Sequence, residues 1–91
     1  MELKWANKAF SDLVRLYEFL EPVNAKAAAQ VVQSLTSSVT RLTKQPRMGE
    51  VLQEFQPREV RRLLVGRYEV RYEIRKSAVF VIRLWHTREN R

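Results

Sequence analysis

The sequence contains no cysteine, two glycines, three prolines and a single histidine. Without thiols there is no disulfide framework, no thiolate zinc site and no cysteine nucleophile, which fits a reducing compartment. One histidine is too few to build a metal site in a chain that also lacks cysteine. No apolar run reaches the length that crosses a bilayer. The opening Met1-Glu2-Leu3-Lys4-Trp5 lacks the basic and apolar regions of a signal peptide. No phosphate-binding glycine loop, dinucleotide fingerprint or nucleophile elbow is present. These absences predict a cytoplasmic chain with no membrane contact, no metal and no cofactor.

What is present is charge of one sign, unevenly placed. Residues 1–57 carry seven Lys/Arg and six Asp/Glu, a net of +1, whereas residues 58–91 carry ten and four, a net of +6. Nine of those ten bases are arginine, whose planar fork suits bidentate contact with phosphate or carboxylate. Such a surface fits a nucleic acid or an acidic protein, and equally a well-solvated sheet face.

Ninety-one residues are enough for one hydrophobic core, so residues 1–91 are expected to form a single domain. Glu2 to Trp5 alternates and reads as a first strand. Asn7 then offers an N-cap, and Phe10, Leu13, Val14, Tyr17 and Leu20 follow at helical spacing, with Lys8, Ser11, Asp12, Arg15 and Glu18 toward water. Pro22 stops this helix. Asn24 caps a second one, striped with Ala28, Val31, Val32, Leu35, Val39 and Leu42 and ended by Pro46. The connection from Glu21 to Asn24 is short enough to force an antiparallel helical hairpin.

Gln45 to Pro57 is irregular, and Met48, Val51, Leu52 and Phe55 suggest that it lies over the core. Val60 to Val65 is a strand, and Gly66-Arg67 a tight turn needing positive φ at the glycine. Tyr68, Val70, Tyr72 and Ile74 alternate with Glu69, Arg71, Glu73 and Arg75, the clearest period of two in the chain. After Lys76-Ser77 the last strand, Ala78 to His86, places Phe80, Ile82 and Leu84 on one face and Val79, Val81, Arg83 and Trp85 on the other. The predicted architecture is α+β, in the order β-α-α-β-β-β. A helical hairpin packs on one face of a mostly antiparallel four-stranded sheet.

The sheet's other face is then expected to carry Arg62, Glu69, Arg71, Glu73, Arg83 and Trp85. Arginines interleaved with a tryptophan can grip phosphates and stack bases, or hold an acidic peptide by an aromatic anchor. The two glutamates can equally form ion pairs within the sheet. His86 could act as a general acid or base but has no evident nucleophile beside it, and a strand-end histidine fixed by hydrogen bonds is the simpler reading.

The run Arg61-Arg62-Leu63-Leu64-Val65-Gly66-Arg67-Tyr68-Glu69-Val70-Arg71-Tyr72-Glu73-Ile74 resembles the C-terminal half of RelE/ParE toxins. So does Val79-Phe80-Val81-Ile82-Arg83-Leu84-Trp85-His86-Thr87-Arg88 after it. The Pro46 and Gly49 pair and the leading strand with its helical hairpin look like the same family. The resemblance implies the toxin half of a type II toxin–antitoxin module, held inactive by a cognate antitoxin with an extended, commonly acidic segment.

Within that family, the ribosome-dependent mRNA endonucleases carry an arginine directly after the turn tyrosine. Here Glu69 follows Tyr68, and Thr87 stands where arginine is usual. No tyrosine follows, in a segment where those enzymes often have one. A nuclease built on this chain would have to use Arg62, Arg71, Arg83 and His86 on ribosome-bound mRNA. The His86-Thr87-Arg88 ending looks more like the ParE branch, which poisons DNA gyrase without hydrolytic residues. That branch implies contacts from the last strand and the tail after it, at Arg83, Trp85, His86 and Arg88, and with Arg62 and Arg71 of the basic face these are the expected antitoxin- and target-binding residues. A basic nucleic-acid-binding domain without toxicity is a third reading, with no binding signature to support it.

Overall fold

The computed structural model describes residues 1–89. Asn90 and Arg91, the end of the tail that the sequence marks as a contact region, lie outside the described residues. The elements are β1 (Glu2–Trp5), α1 (Asn7–Leu20), α2 (Ala25–Arg41), β2 (Glu50–Val51), a 3-10 turn (Gln53–Phe55), β3 (Glu59–Val65), β4 (Tyr68–Arg75) and β5 (Ala78–His86). The sheet runs in the order β1-β5-β4-β3-β2, with β1 parallel to β5 and every other pair antiparallel.

The α+β class, the hairpin of helices and the last three strands are as the pattern predicts, but the sheet has five strands and not four. The extra one lies inside the irregular connection, where Glu50 and Val51 pair with Arg62 and Arg61. Two residues are too few to show a period of two, so only the pairing reveals it.

Tyr72 fixes this segment. Its hydroxyl donates to the Pro46 carbonyl (2.7 Å) and accepts from the Gly49 N–H (2.9 Å), while the ring is fully buried. A Cβ on Gly49 would lie 2.6 Å from the Arg62 carbonyl oxygen and 2.7 Å from that hydroxyl, so the close approach requires glycine.

The helix cores correct the sequence in one respect. On α2, Ala28, Leu35 and Val39 are buried, as is Leu42 just beyond it, and the Asn24 side chain accepts from the Ala27 N–H (3.0 Å). On α1 the buried residues are Ala9, Asp12 and Leu16, whereas Phe10, Val14 and Tyr17 are exposed. The helix is rotated from its expected face. Asn7 is not the cap either. The Ala6 N–H still donates to the Val81 carbonyl (2.9 Å), which holds Ala6 extended as the residue before the helix and makes Asn7 its first helical residue.

The last strand differs too. Arg71 stands opposite Arg83 but Tyr72 opposite Val81, so Ile82 is an extra residue on β5. A bulge of one residue reverses the alternation beyond it. Val79, Val81 and Leu84 are all buried in the core, although the sequence places Leu84 on the opposite face from the two valines.

Candidate functional site

The outward side chains of β4 and their neighbours form two ionic clusters, one around Glu69 and one around Glu73, on either side of the Phe55 ring. Arg62 donates through Nε to Glu50 (2.7 Å), and its Nη1 lies 3.8 Å from Glu69. Arg71 donates to Glu69 (3.1 Å) and sits between two rings, its guanidinium 4.8 Å from the Trp85 centroid and 5.5 Å from that of Phe55. Arg58 grips Glu73 with two bonds (3.1 and 2.8 Å), and Arg75 stands 3.7 Å from the same carboxylate.

Glu69 and Glu73 are buried at 7% and 4% exposure, beneath these arginines. The two hydrogen bonds from Arg58 are the main cause holding the Glu73 carboxyl below the ordinary range, against a smaller opposing effect of burial. The face that the sequence presents as a row of arginines is therefore largely neutralised by its own carboxylates. Trp85 is 7% exposed, so it packs under Arg71 and does not project as an anchor.

Arg83 is elsewhere. β1 accompanies β5 only as far as Val81, and beyond it Asp12 of α1 takes the place of the missing strand. Its carboxylate accepts from the Leu84 N–H (3.0 Å) and from Arg83 Nε and Nη2 (2.7 and 3.1 Å). Burial is the largest single influence on Asp12 and opposes its charge. The Arg83 and Leu84 hydrogen bonds, with the charges of Arg83 and Arg15, outweigh it and hold the carboxyl below its ordinary value.

His86 and Arg88 occupy a third place, on the helix side of the sheet. The His86 ring meets Tyr68 edge-on (centroids 5.1 Å apart, 85° between planes), and its Nδ1 accepts the Arg88 N–H (3.0 Å). Glu89 accepts from the His86 N–H (3.1 Å) and from Arg15 (3.1 Å), closing the turn. Beside this turn a groove of about 690 Å³ has Leu16, Phe19, Leu20 and Tyr68 as apolar walls, with Arg15 and Arg88 among its polar residues.

The structure thus brings Arg62, Arg71 and Trp85 together, puts Arg83 at the α1 edge, and sets His86 and Arg88 apart from both. No group of three or more potential metal-binding side chains occurs among the described residues. Sequence reasoning missed Asp12, Glu50, Phe55 and Arg58 as members of these clusters. For Asp12 a signal existed, since Ala9, Leu13 and Leu16 run at helical spacing on its own face.

The model of the ParE toxin of the type II toxin–antitoxin system parDE matches residues 3–91. The chain belongs to the ParE toxin family. It is the toxin component of a type II toxin–antitoxin module, and the endonuclease alternative has no support from this match. Among solved structures the toxin is similar to a chain of the chromosomal ParDE toxin–antitoxin system from P. aeruginosa. The TM-score is 0.79 at 22% identity over 94% of this chain and 95% of that one, a likeness of fold. No curated protein matches the toxin. Among the described residues no helix is long and apolar enough to cross a membrane.

Proposed function

We propose that this toxin arrests growth by binding DNA gyrase in the cytoplasm, that its cognate antitoxin blocks this binding, and that it cuts no RNA. One observation carries the reading. Arg62 and Arg71, which a nuclease would need for phosphate, are occupied by Glu50 and Glu69. A guanidinium already paired with a carboxylate adds little to the neutralisation of a developing phosphate charge. The His86 Nδ1 is likewise engaged by a backbone N–H and has no hydroxyl or carboxylate as proton partner in the hydrogen bonds it makes.

Within this reading residues 1–91 act as one toxin domain, whose two core clusters share Leu3 and Leu63. His86 and Arg88 touch the partners directly at the groove beside α1, and Arg62 does so at the rim of the sheet. Arg71, Trp85 and Arg83 contribute mainly by holding the surface in shape.

The test is gyrase-catalysed supercoiling with purified toxin. Inhibition with accumulation of cleaved DNA is expected, and it should be reversed by adding the antitoxin. Unchanged supercoiling with no cleaved DNA would overturn the proposal. Transcripts cut near codons in arrested cells would favour the ribosome-dependent alternative through Arg62, Arg71, Arg83 and His86.

A further inference from the structure

The apolar side chains of α1 are sorted the wrong way round for a helix that meets only its own fold. Ala9, Asp12 and Leu16 are buried, whereas Phe10, Val14 and Tyr17 form a second stripe, spaced by four and three residues, on the exposed side. A surface helix normally turns its larger apolar residues inward and its polar ones outward. Here Phe10 is 58% exposed, and Val14 and Tyr17 are 39% exposed, so two rings and a valine are left in contact with water. A contiguous apolar patch of this kind marks contact with another macromolecule.

Charge selects the occupant. Toward its C-terminal end the stripe runs into Glu18 and Glu21, both exposed and neither in a salt bridge with a described residue. An acidic peptide or a nucleic acid would meet like charge there. At the other end of the helix Lys8 is exposed and also makes no salt bridge with a described residue. A second α1 laid antiparallel, about a two-fold axis near Val14, brings Glu21 of one copy level with Asn7 and Lys8 of the other, and the reverse by symmetry. A parallel pairing would set the glutamates against each other.

The net charge of +7 does not oppose this arrangement at the contact. Residues 7–41, the hairpin, carry four Lys/Arg and three Asp/Glu, a net of +1, whereas residues 58–91 carry +6. Pairing through the hairpins keeps the basic sheets on the outside of the assembly. The fourteen residues of α1 span only about 21 Å. Such a contact falls short of the roughly 800 Å² per partner of a tight complex, so the dimer is weak.

We propose that α1 is a self-association surface, through which two copies of the toxin pair antiparallel by Phe10, Val14 and Tyr17 with their hairpins back to back. The groove beside His86 stays open in this dimer, because its α1 wall is made of other residues, Arg15, Leu16, Phe19 and Leu20. The inference does not depend on which target the toxin binds.

Sedimentation equilibrium of the purified toxin from about 1 to about 500 µM tests it. A monomer–dimer equilibrium with a dissociation constant on the order of 10–100 µM is expected. Phe10→Ser should weaken it by about tenfold or more. Glu21→Lys should weaken it by about threefold or more beyond Glu54→Lys, which makes the same change in net charge at an exposed site of the 3-10 turn. Because the chain has no cysteine, Val14→Cys adds a single thiol beside the axis. Oxidation with diamide should then cross-link two copies, whereas Ser37→Cys, exposed on α2, should stay uncross-linked.

A monomer at every concentration would overturn the proposal. A dimer that Phe10→Ser leaves at full strength, or equal cross-linking through Val14→Cys and Ser37→Cys, would place the contact elsewhere and overturn it too. Equal effects of the two Glu→Lys changes would overturn the antiparallel pairing by charge. Should Phe10→Ser not fold, the cross-linking comparison decides by itself. Loss of antitoxin binding in Phe10→Ser, with no dimer of the unaltered toxin, would assign the stripe to the antitoxin instead.

Discussion

At the residue scale, Asp12 and Gly49 have roles out of proportion to their size. Asp12 substitutes for a strand by accepting the Leu84 N–H and both donors of Arg83. Asp12→Asn leaves a buried donor set poorly matched and is expected to cost about 2–3 kcal/mol in urea unfolding, discounted because Arg83 remains 32% exposed. Gly49→Ala pushes a methyl group against the Arg62 carbonyl and the Tyr72 hydroxyl, and a loss of about 2–3 kcal/mol is expected by the same measurement. Tyr72→Phe leaves the Gly49 N–H and the Pro46 carbonyl without that partner and should cost about 1–3 kcal/mol, with no cavity to explain it.

At the element scale, the rotation of α1 is the feature with consequences. Its sequence carries two competing apolar stripes, one of large residues at Phe10, Val14 and Tyr17, the other of Ala9, Leu13 and Leu16 with Asp12 between them. Size favours the first stripe, but the second packs, since Ala9 permits close approach to the sheet and Asp12 is needed at the β5 edge. Leu16→Ala is therefore expected to lose about 2–4 kcal/mol. Phe10→Ser, at a position 58% exposed, should stay within about 0.5 kcal/mol. Equal losses in thermal or urea melts would mean that the helix packs by its other face. The bulge at Ile82 belongs to this scale as well, because it returns Leu84 to the core and turns Trp85 toward Arg71.

At the scale of the whole molecule, charge governs both acid stability and association. Asp12, Glu59 and Glu73 all have carboxyls held below their ordinary values. For Glu59 burial is the largest influence and opposes ionisation, but Arg61 and Arg47 prevail over it. As pH falls, the unfolded chain takes up protons on these groups first. Their contribution is therefore complete above the ordinary carboxylate range and is lost as pH falls through it toward the lower folded values. Urea midpoints should accordingly hold near neutrality and decline steeply below about pH 4, with a shallower decline in Asp12→Asn. The net charge of +7 should also steer an acidic antitoxin. Its association rate is expected to fall by about tenfold between low and high salt while dissociation changes little, as stopped-flow mixing would read.

The α+β class, the helical hairpin, the three C-terminal strands to within a residue, the Gly66 turn with its positive φ, and the family are all legible in the amino-acid order alone. These are local properties, written in periods of 3.6 and 2 and in turn chemistry. The short β2, the face of α1, the bulge at Ile82 and the pairing of Arg58, Arg62, Arg71 and Arg83 came only with the folded chain. Glu69 next to Tyr68 was legible as a departure from a nuclease. That its carboxylate lies buried beneath Arg62 and Arg71 was not, because contacts between strands depend on register, which a single sequence leaves open. The lack of cysteine and the single histidine exclude thiolate and multi-histidine chemistry directly, since a missing side chain needs no fold to be missing. Whether the arginines were free to bind anything was a question of distances, and those exist only once the chain has folded.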